Sequence, residues 1–134
     1  MKNYQIFNAY PAFAKIAELN YKDYDVNVDV ALMLIELEKR YKIITKMIDK
    51  LKIEYCQVRD NGQFLTDENG NLVMKPDKSL AEFEAELAKI SDADANYNPE
   101  KIVIYRDSFR DKMPNPKEIV QLKDFVIFEK EDRK

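Results

Sequence analysis

The sequence contains no histidine, only one cysteine and only two glycines among its 134 residues. Without histidine there can be no serine–histidine triad, cysteine–histidine pair or histidine-ligated zinc. A single cysteine, Cys56, excludes an internal disulfide and a multi-cysteine metal cluster. Two glycines, Gly62 and Gly70, are too few for a glycine-rich phosphate-binding loop. These absences exclude the commonest catalytic sites, so we expect no enzyme and no cofactor.

Long apolar runs are also missing. None approaches the roughly 20 residues that span a bilayer, and the first residues, Met1 to Tyr4, lack the apolar core of a secretory signal. We therefore expect a cytosolic protein with no membrane contact. A mass of 15.8 kDa with 46% hydrophobic and 35% charged residues suits a single domain over residues 1–134.

The net charge of −3 conceals a segregation along the chain. Residues 1–59 carry 10 Lys or Arg against 8 Asp or Glu, residues 60–100 carry 3 against 10, and residues 101–134 carry 9 against 7. The three segments therefore have net charges of +2, −7 and +2. This distribution favours an internally complementary surface, because a nucleic-acid-binding face would give a larger basic excess.

The strongest pattern is a regular series of apolar residues that we call the seam. Its members follow one another at alternating spacings of 4 and 3: Val30, Leu34, Leu37, Tyr41, Ile44, Ile48, Leu51, Tyr55 and Val58. Such spacing places them on one face of a helix. No glycine or proline interrupts residues 27–59, so we predict one long helix there, capped by Asp25 or Asn27. Met33 and Met47 are expected to widen the apolar stripe.

Shorter elements flank this helix. Apolar spacing predicts a helix over residues 4–19. Two Asn-Gly pairs punctuate residues 60–75, which predicts a β-hairpin. A capping box formed by Ser79 and Glu82 opens a predicted helix over residues 79–90.

The tail over residues 100–128 has a different character. Ile102–Tyr105 and Phe125–Phe128 are rich in β-branched or aromatic residues, and each is either a buried strand or an irregular apolar segment. Between them Asn115, Pro116 and Glu118 have the spacing of a capping box, which predicts a short helix.

These elements predict a mainly α fold with a small β component, of the α+β class. We expect an elongated antiparallel helical bundle around the long heptad-patterned helix, because the two shorter helices can cover the seam from its two ends. That closure favours a monomer. Uniform heptads also permit pairing of part of the seam between chains, so a homodimer is the alternative.

Candidate functional residues are few. The only basic stripe lies on the side of the long helix away from the seam, and its members are weak candidates for binding: Lys39, Lys42, Lys46 and Lys50. Asp92 and Asp94 are the only carboxylate pair that a loop could direct at one cation. The turn-like segment 67–71 lacks the first aspartate of a calcium loop, and Cys56 has no base to activate it. We therefore assign no catalytic residue, metal ligand or cofactor-binding residue.

Four stretches carry a resemblance that covers most of the chain: Asn8–Phe13, Ile35–Lys39, Asp67–Asn71 and Asn115–Leu122. In their order the sequence resembles a family of small proteins of unknown function, encoded by tailed bacteriophages and prophages of Gram-positive bacteria. The resemblance implies a phage origin and a location in the cytoplasm of a bacterial host. It carries over no catalytic residue.

Three functions compete at this point. The leading one is a non-enzymatic phage or prophage protein that acts through contacts with a phage or host protein. It would be an assembly or accessory factor or a modulator, for example an inhibitor of a host defence enzyme. The alternative is a nucleic-acid-associated accessory protein that uses the lysine stripe, although binding to nucleic acid is disfavoured. The third, a metal-dependent hydrolase at Asp92 and Asp94, has the least support.

Overall fold

The computed structural model describes residues 1–110 and 112–129, and it contains both helices and strands. The helices are α1 (Asn3–Ala17), α2 (Tyr24–Tyr55), α3 (Leu80–Asp92) and α4 (Pro116–Gln121). The strands are β1 (Ile102–Tyr105) and β2 (Val126–Glu129), and a 3-10 turn spans Arg106–Ser108. A long helix with a small sheet confirms the predicted combination of much helix with little strand. The elongated antiparallel bundle stays a prediction.

Two compact units divide the chain. The first consists of residues 1–41 together with those from Asp94 onward, and the second of Lys42–Ala93. Helix α2 contributes residues to both units, because the division falls after Tyr41. The prediction of a single domain over residues 1–134 stays a prediction, since compactness alone does not show whether the units unfold together.

The seam of α2 is the buried side of the helix. Its members Val30, Leu37, Ile44, Leu51 and Tyr55 are at most 8% exposed. The last member, Val58, is 46% exposed, because α2 ends at Tyr55 and the seam ends with it.

The observed start and end of α2 differ from the predicted range of 27–59. The helix starts at Tyr24, where the Asp23 carboxylate accepts the backbone N–H of Asp25 at 2.9 Å. The Asn27 side chain donates to the backbone carbonyl of Tyr21 at 2.9 Å, so it fastens the preceding loop and does not cap the helix. At the other end, residues 56–59 leave the helix to form backbone bonds with later segments.

The two methionines next to the seam behave differently. Met33 is buried, as predicted, whereas Met47 is 40% exposed. Met47 therefore does not widen the apolar stripe. It lies at the position directly before seam residue Ile48, which is itself only half-buried, so the seam is narrow in this part of the second unit.

Helix α1 runs through Pro11 and buries one face in the first unit. Ile6, Phe13 and Ile16 are at most 1% exposed. On the adjoining face the rings of Phe7 and Tyr10 stack on Tyr41 of α2, with centroids 5.2 and 4.5 Å apart. Such stacked aromatic pairs contribute about 0.5 to 1.5 kcal/mol each beyond their buried area.

Strands β1 and β2 pair in parallel, with Ile102 opposite Val126 and Tyr105 opposite Glu129. A parallel pair needs a crossover between its strands, and here α4 lies in that connection. The predicted capping box at its start is confirmed: Asn115 accepts the N–H of Glu118 at 2.9 Å, and the Glu118 carboxylate accepts the N–H of Asn115 at 3.0 Å. Asp111, within the predicted tail, lies outside the described residues.

In the second unit, the segment between α2 and α3 contains isolated antiparallel bridges and no regular strand among its described residues. Three short stretches bond to one another in turn. The N–H of Gln57 donates to the carbonyl of Val73, that of Val73 to Leu65, and that of Leu65 back to Gln57, at 2.8, 3.1 and 2.9 Å. Gly62 and Gly70 form the turns with positive φ angles of 86° and 80°, a conformation that favours glycine.

Helix α3 completes the second unit. Ser79 caps it by accepting the N–H of Glu82 at 3.1 Å, and the helix continues to Asp92, two residues beyond the predicted end. Besides Ile44, which is 4% exposed, the buried residues of this unit are the cluster of Leu51, Tyr55, Cys56 and Phe83. Leu87 and Ile90 of α3 pack against this cluster and are themselves only partly buried. The second unit therefore rests on a small cluster.

Candidate functional site

The four candidate lysines are exposed on α2, as predicted. Lys39 belongs to the first unit, whereas Lys42, Lys46 and Lys50 belong to the second. Asp49 is also exposed on the second-unit part of the helix. The lysines are exposed to solvent, but an exposed carboxylate interrupts the positive charge.

The carboxylates considered for a metal are Asp92, the last residue of α3, and Asp94, two residues later in the chain. No group of three or more Asp, Glu or Cys side chains suited to a metal ion occurs within residues 1–110 and 112–129. Asp94 is already engaged: its carboxylate accepts the N–H of Asn96 at 2.8 Å and lies 3.7 Å from the amino group of Met1. Both interactions lower the pKa of Asp94, the Asn96 hydrogen bond more strongly.

The segment 67–71 is a turn, as predicted. The Asp67 side chain accepts the backbone N–H groups of Asn69 and Asn71 at 2.9 and 3.0 Å. A carboxylate oxygen that closes its own turn in this way fixes the loop without a cation.

Cys56 is fully buried in the small core of the second unit. Burial raises the pKa of its thiol, and the positive charges of Lys52 and Lys75 only partly oppose that shift. A thiol that is buried and protonated is a poor nucleophile. Cys56 is therefore a packing residue.

A more informative surface lies on the second-unit part of α2. We call it the outer face, and it consists of Ile43, Lys46, Met47, Lys50 and Ile53. Each of these residues is 3 or 4 positions from at least one other member, so the five share one side of the helix. Ile43 is 53% exposed, Met47 is 40% exposed and Ile53 is 58% exposed. Two lysines thus lie among three large apolar side chains that are open to solvent.

In the first unit, the Arg40 side chain makes three contacts. The guanidinium donates to the backbone carbonyl of Ala95 at 2.6 Å and lies 4.5 Å from the ring centroid of Tyr97. Glu36 completes the arrangement, with its carboxylate 3.5 Å from Nε of Arg40. Burial, followed by the negative charge of Glu36, raises the pKa of Tyr97, so its phenol stays protonated at neutral pH. Arg40 therefore fastens the chain directly before β1 to α2.

A groove of about 370 Å³ lies beside this contact, between α2 and β1, and we call it the β1 groove. Its walls include three carboxylates and three apolar side chains: Asp29, Glu36, Glu100, Leu32, Met33 and Val103. Lys101 is the one basic residue of the lining. The groove is therefore acidic and partly apolar, and the first two residues of β1, Ile102 and Val103, lie in its lining.

Two other cavities of the first unit are less suited to a ligand. The larger, of about 460 Å³, is lined by Lys15 and Glu118, whose charged groups lie 3.9 Å apart and neutralise each other. The smaller, of about 140 Å³, is lined mainly by apolar side chains such as Ile104 and Phe109.

Comparison of the chain with protein-family models, with curated proteins and with solved structures finds no match. The resemblance to phage proteins therefore stays a prediction. Among the residues that the structure describes, no helix has the length and apolar character needed to cross a bilayer.

The sequence analysis identified the lysines but missed two surfaces, the outer face of α2 and the β1 groove. The outer face had a local signal: Ile43 and Ile53 are apolar, lie off the seam and share a side of the helix with Lys46 and Lys50. The β1 groove had none, because Asp29 and Glu100 come together only through the packing of the 97–103 segment against α2.

Proposed function

We propose that this chain is a non-enzymatic protein that acts through contacts with another protein. The observation that carries the proposal is the outer face of α2, where Ile43, Met47 and Ile53 are 40 to 58% exposed on one side of a helix. Clustered exposed apolar side chains mark interaction surfaces more often than isolated ones do. As part of the proposal, the partner is a phage or bacterial host protein.

The chemistry of the outer face defines the kind of partner. The three apolar side chains are 4, 6 and 10 residues apart on one side of a helix, and such a side suits a second helix or a groove that accepts one. Lys46 and Lys50 lie among these anchors, so the complementary surface should be apolar with acidic residues at its edge. Acidic residues would also distinguish the true partner from other apolar surfaces.

Binding to nucleic acid by the lysine stripe is the second candidate. Exposed lysines support it, since phosphate contacts come mainly from such side chains. The intervening Ile43 and Met47 argue against it, because exposed aliphatic groups gain nothing from a phosphate backbone. Asp49 weakens the attraction further.

The test compares two double substitutions in tagged protein expressed in a bacterial host. Ile43→Glu with Ile53→Glu reverses the chemistry of the outer face, and we expect recovery of the specific partner to fall at least tenfold. Ile119→Glu with Val120→Glu is the matched control, since both residues are exposed on α4, and recovery should be unchanged. Equal recovery with all three proteins would exclude the outer face as the binding surface.

A DNA titration decides between the two candidates. At about 0.15 M salt we expect no micromolar binding to duplex or single-stranded DNA. Micromolar binding that disappears when Lys39, Lys42, Lys46 and Lys50 are all changed to Glu would put the nucleic-acid function first.

A further inference from the structure

The outer edge of β1 has backbone groups without partners. The N–H of Ile102 donates to the carbonyl of Phe125 at 2.9 Å, and Ile102 is paired with Val126 in a two-stranded parallel sheet. In a parallel pair alternate residues direct both backbone groups at the partner strand. The N–H and C=O of Val103 therefore point away from β2, and within the described ranges they have no hydrogen-bond partner.

Such an edge is a template for a further strand. Proteins commonly cover or charge an exposed edge to prevent unwanted pairing. Here the Val103 side chain is 38% exposed and lines the β1 groove, and Ile102 lines the same groove. The unpaired backbone groups of Val103 and the groove are therefore parts of one surface.

The charge of the groove indicates what kind of chain could bind there. Glu36 is paired with Arg40, whereas Asp29 and Glu100 have no ion pair among the described residues. Both are exposed, and only Lys101 opposes them in the lining. Leu32 and Met33 provide apolar wall between the carboxylates.

We propose that the β1 groove binds an extended segment of another protein, which adds as a third strand to β1 and carries Lys or Arg alternating with apolar residues. Side chains of a strand alternate between its two sides, so the Lys or Arg residues would share one side and could face the carboxylates together, while the apolar residues share the other side. A second copy of this chain does not fit, because its β1 would bring another Asp29 and Glu100 against the same carboxylates. This inference rests on the proposed protein-binding function and adds a second surface to it.

The test uses a blocked peptide of about seven residues in which Lys and Val alternate, long enough to form a strand. We expect it to bind the full chain. We also expect the Val103 amide to exchange rapidly with solvent in the free protein and to be protected, as seen by NMR, when the peptide is present. A peptide with Glu in place of Lys should bind at least tenfold more weakly. A Lys–Val peptide methylated on alternate backbone nitrogens should lose most of its affinity.

Three variants locate the binding surface. Val103→Pro removes the outward N–H and leaves the β1–β2 bonds, because proline is tolerated at an open edge, and it should weaken the Lys–Val peptide at least tenfold. Val103→Ala keeps that N–H and should change affinity less than threefold. Asp29→Asn with Glu100→Gln should weaken the peptide about tenfold and reduce the salt dependence of its binding, even if the proline variant does not fold.

Equal affinity for the Lys and Glu peptides, or an unprotected Val103 amide at saturating peptide, would overturn the proposal. Failure here is distinguishable from failure of the proposed function. The Ile43→Glu with Ile53→Glu protein should bind the Lys–Val peptide normally, since those residues belong to the outer face of the second unit.

Discussion

The two units of the chain differ in the size of their cores. Of the nine largest fully buried side chains that the structure describes, eight lie in the first unit and only Cys56 lies in the second. The first unit buries whole aromatic rings, such as Phe13 and Phe125. The second relies on Cys56 together with four side chains that retain 4 to 8% exposure: Ile44, Leu51, Tyr55 and Phe83.

This difference implies unequal local stability. Free energies of local opening in a protein range from near zero to the full unfolding value, and they follow the amount of buried apolar surface. The second unit should therefore open more readily than the first. The proposed partner surface on α2 lies in that weaker unit, whereas the β1 groove lies in the stronger one. Binding at the outer face would then stabilise the part of the chain that needs it most.

The largest expected effect comes from the core of the first unit. Phe13→Ala removes a fully buried ring from α1, and we expect it to lower the free energy of unfolding by about 3 to 5 kcal/mol. Urea unfolding measures this change. Val120→Ala, at a residue that is 64% exposed on α4, is the control and should change stability by less than about 0.5 kcal/mol. Equal effects of the two substitutions would contradict the assignment of this core.

The second prediction tests the weaker unit through its own cysteine. Because Cys56 is fully buried, a thiol reagent reaches it only when the second unit opens. The opening free energy obtained from the labelling rate should be smaller than the global free energy of unfolding measured in urea. Leu51→Ala should cost about 2 to 5 kcal/mol and therefore accelerate labelling about 30-fold or more.

Lys46→Ala is the control for this experiment. It removes an exposed side chain of the same helix, and it should leave the labelling rate nearly unchanged. If the opening and global free energies are equal, the two units unfold together. That result would remove the difference in stability and support a single domain over residues 1–134.

The sequence predicted those parts of the fold that depend on nearby residues. The seam could be recognised from a regular spacing within one helix. The Asn115 capping box could be recognised from two residues that are three positions apart. Both are local, because helical hydrogen bonds join residues four apart. The end of α2 was placed at residue 59 because nothing near Tyr55 disfavours helix. It ends earlier because Gln57 finds partners at Leu65 and Val73.

The parallel pairing of β1 with β2 and the β1 groove could not be predicted in the same way. Ile102–Tyr105 and Val126–Glu129 are separated by the whole α4 connection, and neither alternates between apolar and polar residues. The groove needs Asp29 and Glu100 from distant parts of the chain. Tertiary packing, which no local pattern encodes, decides both.

The smallest expected effect is a pH dependence that is specific to the first unit. The Asn96 N–H and the Met1 amino group stabilise the ionised form of Asp94 and lower its pKa. A carboxyl group whose pKa is lowered by folding contributes stability above its unfolded pKa of about 3.9, and this contribution is lost as the pH falls through the lower folded pKa. Because the side chain is 61% exposed, the contribution is small.

Asp94→Asn tests this contribution while keeping an oxygen that can accept the Asn96 N–H. We expect the variant to have a slightly lower melting temperature than the unsubstituted protein above about pH 5, and the difference to shrink as the pH is lowered towards 2. Glu84→Gln, at an exposed carboxylate of α3 in the second unit, is the matched control and should show no such convergence. A difference for Asp94→Asn that grows on acidification would mean that the Met1 and Asn96 contacts do not favour the ionised carboxylate. The attraction between the Met1 amino group and the Asp94 carboxylate would then not stabilise the first unit, and the two units would not differ in this respect.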